Sequence, residues 1–203
     1  VLLVAASTRQ LTRIRKVGLG PILMGLLEPG GSSLFMVWGI AHTSAVSASV
    51  IVSIVPVLVP LLGWIVLRER MRPSVLIGAT IAVGGTILLV QAQSSHAGGH
   101  IKGDLLVSAG VLLVCANQLV GRCVAQAYGA AATISVLQLG VAALLSLIVL
   151  FTIERPPVYL ANIDNVTIAT VLFIGLMGGA IPFLLYNFSL RHLPVGQVAL
   201  FIP

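Results

Sequence analysis

The chain has 203 residues, of which 58% are hydrophobic and only 8% are Asp, Glu, Lys or Arg, against about 25% charged in an ordinary globular protein. Five acids and eleven bases cannot solvate a soluble fold of this size, and a mean hydropathy of +1.12 places the chain in a bilayer, which excludes soluble enzymes, nucleic-acid binders and disordered tails. The net charge of +6 then reads as basic loops at a membrane face, with no nucleic-acid partner.

A hydrocarbon core about 30 Å thick needs roughly 20 apolar helical residues to cross it. In chain order, six stretches qualify: Val17–Ile40, Ser44–Leu67, Ser74–Gln91, Asp104–Gly121, Ala131–Ile153 and Val166–Leu190. The run Val1–Ala6 reads as the end of an earlier span and the residues from Val195 as the start of a later one, so the expectation is a piece of a longer protein. Lipid cannot satisfy an open strand edge, and the apolar blocks are continuous where a membrane barrel would alternate, so each span is expected to be helical. Cys115 and Cys123 lie eight apart within one apolar segment, too few and too deeply embedded for a disulfide framework or a metal cluster.

The bases set the orientation. One set of alternate connections holds Arg9, Arg13, Arg15, Lys16, Arg68, Arg70, Arg72, Arg122 and Arg191, and the other only Lys102 and Arg155. The first set is expected in the cytoplasm. The stretch Gln91–Gly103 is then an external loop, and its His96 and His100 read as solvated side chains in a Gly-rich segment. Trp38 falls at the outer interface and Trp64 at the inner one, as belt residues. Asn165-Val166-Thr167 is a formal glycosylation sequon on the outer side.

A shift of 150 residues sets Ile22-Leu23-Met24-Gly25-Leu26 on Leu172-Phe173-Ile174-Gly175-Leu176, Leu34 on Leu184, Ile40 on Leu190 and His42 on His192. The two segments lie five spans apart, an odd number, so they cross the membrane in opposite directions. Inverted repeats of this kind build secondary transporters around a midplane site. Doubling a five-span unit predicts ten spans and about 300 residues for the parent protein.

Gly39-Ile40-Ala41-His42-Thr43-Ser44-Ala45-Val46-Ser47-Ala48-Ser49-Val50, Pro56, Leu67-Arg68-Glu69-Arg70, Gly78 and Gly84-Gly85 together resemble an EamA-type repeat of the drug/metabolite transporter superfamily. The second copy resembles it through Pro182, Tyr186-Asn187, Leu190 and Leu193-Pro194-Val195-Gly196-Gln197-Val198-Ala199. The resemblance implies an all-α polytopic membrane protein with a ten-helix inverted-repeat fold, present here from the end of helix 2 to the start of helix 9. Residues 1–91 and 104–203 would be the two truncated repeats and 92–103 an external linker. It implies a multi-pass transporter of the plasma or inner membrane, moving a small solute by alternating access and acting as an exporter. Its partners would be the bilayer and a small-molecule substrate, with room for a homodimer.

Within the spans, Glu28 is the one charge well away from either end. It lies about 16 Å along its helix from Val17, near the midplane, where such residues usually face a cavity and take part in function. No cofactor or metal is implied. Glu28 instead points to coupling by a proton or another ion, or to binding of the positive end of a substrate. The structural alternative is a protonated carboxyl bonded to a nearby carbonyl. Pro29, Gly30 and Gly31 break the helix beside it, and Gly178, Gly179 and Pro182 stand at the repeat-related place. Pro56, with Pro60, is expected to kink the second span.

Asn117, Gln118, Gln138, Tyr186 and Asn187 carry polar groups that lipid cannot satisfy, so they are expected to face the interior, either bridging helices or touching substrate. Ser44, Ser47, Ser49 and Ser53 with Ala45 and Ala48 read as a small-residue packing surface, and Arg68-Glu69-Arg70 as an ion-paired helix end. A lone acid among amides and no midplane base favours zwitterionic or cationic solutes. Two other classes compete. An intramembrane hydrolase would use Gly30-Gly31-Ser32 and His192, but these fall at different depths. A non-transporting scaffold or sensor would share the fold without flux.

Overall fold

The computed structural model describes residues 18–69, 101–128, 130–154 and 164–199, with helical positions 73–75, 77, 78, 80, 81, 84, 85 and 88 between them. The described residues are helical with short connections. Helix α1 (Gly20–Gly25) passes through a widened turn, Leu26–Gly31, into α2 (Ser32–Ile40). Next come α3 (Ala45–Val52) and α4 (Val55–Leu67), then α5 (Ile101–Tyr128) and α6 (Ala131–Val149), which ends in a widened turn, Leu150–Glu154. Helix α7 (Asn165–Ile174) joins α8 (Ile181–His192) through a third widened turn, Gly175–Ala180, and α9 (Val195–Val198) follows.

Among the described residues, four stretches are continuous, long and apolar enough to cross a membrane: Ala45–Leu67, Ile101–Tyr128, Ala131–Thr152 and Asn165–His192. The expected span Val17–Ile40 is not one smooth helix, because its backbone breaks at Glu28. His96, His100 and positions 92–100 of the expected linker lie outside the described residues, as does half of the span Ser74–Gln91, while 101–103, read as linker in the sequence, form the first turn of α5.

Local chemistry sets the helix ends. Ser44 caps α3, its hydroxyl accepting from the Ser47 amide at 3.0 Å, so it caps as well as packs. Asp164 caps α7 by accepting from the Thr167 hydroxyl and from its amide at 3.1 Å, and these bonds hold the Asp164 carboxyl below the usual carboxylate range. Arg68, at φ 53°, closes α4 in the left-handed conformation. Pro56 sits in the first turn of α4, where a missing amide hydrogen costs nothing. The bend of this span lies just before it, at Ser53–Ile54, and Pro60 is the proline inside α4.

Helix α5 is the axis of the bundle. Helices α1, α2, α3, α4, α8 and α9 all pack on it. Sequence reading ends this span at Gly121, but the helix runs to Tyr128 because Arg122 is taken up by partners inside the bundle. One core cluster joins Val55 and Val59 of α4, Val111, Cys115 and Ala125 of α5, and Leu190, Val195, Val198 and Ala199. A second joins Met24, Val124 and Ile134.

In lipid, close backbone approach replaces the hydrophobic drive between helices. Gly103 shows this where α5 meets the turn after α2. A Cβ there would stand 2.4 Å from the carbonyl carbon and oxygen of His42. Across the bundle, α7 buries none of its residues among those described, and Val171, Leu172 and Phe173 are 62–67% exposed.

Neighbours give the directions of the chain. Gly20 abuts Val124 near one end of α5, while Gly39 abuts Val107 near the other. Leu190, near the end of α8, packs on Gly121. The α1–α2 segment therefore runs away from the Tyr128 end of α5, and α7–α8 runs toward it.

Gly103→Val should lower the melting temperature of the purified protein, since overpacking typically costs about 1–3 kcal/mol. Gly140→Ala, where a Cβ meets nothing within 4 Å, should leave it unchanged or slightly raised.

Candidate functional site: a polar relay at a broken helix

Pro29 has no amide hydrogen, and the residue before a proline is disfavoured in helical conformation. Glu28 accordingly sits extended, at φ −150° and ψ 131°, between two helical segments. The Glu28–Pro29 peptide bond is cis. The turn closes only because Gly30 follows: a Cβ there would lie 2.5 Å from the Gly25 carbonyl oxygen.

The break leaves the carbonyl of Glu28 without a helical partner, and a side chain from another span supplies one. Gln138 Nε2, on α6, donates to the Glu28 carbonyl at 2.8 Å. Asn117 Nδ2, on α5, donates to Glu28 Oε2 at 2.8 Å. Asn187 Nδ2, on α8, donates to Gln138 Oε1 at 3.0 Å and to Ser135 Oγ at 2.9 Å. Ser135 in turn donates to the Phe183 carbonyl at 3.3 Å. One hydrogen-bonded chain thus ties together the broken segment, α5, α6 and α8. Asn117, Gln138, Asn187 and Ser135 are all fully buried.

The relay is not saturated. Asn117 Oδ1, Asn187 Oδ1, both amide atoms of Gln118 and the Tyr186 hydroxyl are buried without a hydrogen-bond partner among the described residues. Unpaired buried polar groups normally cost about 1–3 kcal/mol each, a cost that the described residues leave uncompensated at these five atoms. The Tyr186 hydroxyl lies 3.8 Å from where a Cβ on Gly121 would stand, and Cys115 is buried on α5 two residues before Asn117.

Of the five polar residues singled out with Glu28 in the sequence, Asn117, Gln138 and Asn187 join this chain of hydrogen bonds, while Gln118 and Tyr186 respectively follow Asn117 and precede Asn187 in sequence without a hydrogen-bond partner among the described residues. Pro29, Gly30 and Gly31 form the backbone of the break. Gly178 and Gly179 lie in the third widened turn, Gly178 exposed and Gly179 partly so. Pro182 falls in the first turn of α8 and leads to the Phe183 carbonyl that Ser135 holds. Pro56 lies away from the relay. Ser32 is buried at the start of α2, and His192 is engaged with the Phe188 carbonyl at 3.0 Å.

Two further contacts close the ends of the bundle. Arg122 Nε pairs with Glu69 Oε1 at 2.7 Å, the side chains 12% and 19% exposed. Arg122 also donates to the Leu190 carbonyl, and Glu69 Oε2 accepts from the Val195 amide at 2.9 Å. At the other end Thr43 donates to Asp104. Sequence reading places Glu69 in an ion-paired helix end with Arg68 and Arg70; among the described residues the structure pairs it with Arg122, 53 positions away.

A bundle of apolar helices around a broken span, with an acid held in its interior by amides, defines a multi-pass membrane protein of the transporter type. The family model of the EamA-like transporter family matches residues 1–91 and 101–203, and the chain belongs to that family. It is similar to an uncharacterized transporter, YyaM, of Bacillus subtilis (strain 168), at 22% identity over 99% of this chain and 66% of the relative. The chain thus spans about two thirds of that relative's length. A solved crystal structure superposes with a TM-score of 0.73 at 20% identity, covering 98% of this chain and 67% of the other, which establishes the shared fold.

Gln138→Leu should destabilise the protein by about 2–4 kcal/mol. It strands the Glu28 carbonyl, at roughly 1–3 kcal/mol for a buried group left unpaired, and removes one acceptor of the Asn187 amide, at about 1 kcal/mol more. A melting curve in detergent reads the difference, with Leu144→Ala as the control: Leu144 lies in the same helix and is 63% exposed, so its truncation should shift the curve little.

Proposed function

We propose that the chain is the central part of a secondary transporter that moves a small solute across the cell membrane by alternating access, in the export direction. The Glu28 relay is the site where solute and a coupling proton or ion bind. The observation that carries this reading is the acid itself: Glu28 lies within a broken span, held by amides from two other spans, beside unpaired polar groups. Ionisable groups at such depth are costly and serve ion or substrate pathways.

The ends of the bundle support the cycle. Glu69 belongs to the first matched range, while Arg122, Leu190 and Val195 belong to the second. If the two ranges are inverted repeats, opening toward the base-rich side separates them at this clamp, which lies about 7 Å along α5 from Asn117. Rigid-body rocking of this kind exchanges one set of end contacts for another.

Two experiments test the reading on the full-length protein. In liposomes, Glu28→Gln should cut pH-dependent flux of the transported solute at least tenfold while leaving insertion intact. Flux at the wild-type rate with the same pH dependence makes Glu28 structural. The clamp is read through the buried Cys115 in a Cys123→Ser background. Arg122→Gln should speed alkylation of Cys115 by an impermeant maleimide from the cytoplasmic face several-fold, and the Glu69→Arg/Arg122→Glu exchange should slow it again. An unchanged rate removes the clamp from the cycle.

A further inference from the structure

We infer that the relay site selects solutes carrying a primary ammonium group, recognising the N–H donors as well as the positive charge. The inference rests on the transport reading above and deepens it. It follows from which way each amide is forced to face.

A backbone carbonyl has no proton to give, so the Glu28 carbonyl dictates that Gln138 present its nitrogen. Gln138 Oε1 is then the atom left for Asn187, which must answer with its own nitrogen. That nitrogen also serves Ser135 Oγ, whose proton goes to the Phe183 carbonyl. The oxygen of Asn187 is therefore the end turned away from the relay, and it has no partner among the described residues. With Glu28 ionised, Asn117 obeys the same logic from the other side: its nitrogen faces the carboxylate, and its oxygen is left over. The free atoms whose orientation is fixed are both acceptors, and they accompany a carboxylate. Gln118 and Tyr186 offer groups that donate or accept, so they do not alter the bias.

No described base offsets the acid here. Arg122, the nearest in α5, is spent on Glu69 and the Leu190 carbonyl. A carboxylate solute would meet one like charge and two amide oxygens. A quaternary ammonium would balance the charge and leave both oxygens desolvated and unpaired, a cost of the kind that makes hydrogen-bonding sites reject analogues lacking the donor. A primary ammonium carries three N–H donors, matching in number the carboxylate and the two amide oxygens.

The test uses full-length protein in nanodiscs and three probes of one shape: benzylammonium, benzyltrimethylammonium and benzoate, at neutral pH. Benzylammonium should bind at least tenfold more tightly than either of the others, measured by thermal stabilisation across a concentration series. Glu28→Gln should abolish its effect. Stabilisation by benzoate or the trimethyl probe equal to or above that of benzylammonium overturns the inference, and so does a response to none of the three. The two readings fail separately. Glu28-dependent flux without benzylammonium binding removes only the ammonium assignment, whereas selective binding without flux removes the transport reading and leaves the site.

Discussion

A carbonyl freed from its helix inside a bilayer has no water to turn to, and that constraint organises this structure. Pro29 forces Glu28 out of helical geometry, and the exposed carbonyl has to be met by another span. Gln138 meets it. Once that bond is set, the facing of Asn187 and Ser135 follows, and with Asn117 on the carboxylate four segments of the bundle become one hydrogen-bonded unit. The stability of the break and the chemistry of the site are therefore the same interactions, seen once as satisfied donors and once as acceptors left over.

The packing serves this arrangement. Helix α5 carries Asn117 at its middle, the Arg122 clamp toward one end and Asp104 at the other. Close backbone contacts such as that of Gly103 with His42 bring the first matched range onto it without bulky side chains intervening. Polar ties at both ends of α5 and a polar relay between them leave the rest of the described packing to apolar side chains. The ties at the ends are few and discrete, the kind of contact that a two-state element can exchange.

Much of this was legible in the sequence, for physical reasons. Membrane helices advertise themselves as apolar blocks, and a charge or amide inside such a block has few innocent explanations, so Glu28, Asn117, Gln138 and Asn187 stand out unaided. Ser135 does not, because serine is common in spans and its role comes only from Asn187 beside it. The Glu69–Arg122 pair was hidden by nearer candidates, Arg68 and Arg70, and by the reading of Arg122 as the end of a span. Pairing by repeat set Gly178 against Glu28, but the second turn only widens, since Pro182 begins a helix where Pro29 interrupts one. Repeat symmetry predicts where a backbone loosens; side chains decide what that does.

Under the proposed function, Gln138 acts on transport through the Glu28 carbonyl that it holds. A double-mutant cycle on initial flux in proteoliposomes, with Glu28→Gln, Gln138→Leu and the pair, tests it most directly. Strong non-additivity is predicted, the double variant losing little more than Glu28→Gln alone. Losses that multiply independently would contradict it, leaving the relay as packing and the transport site elsewhere.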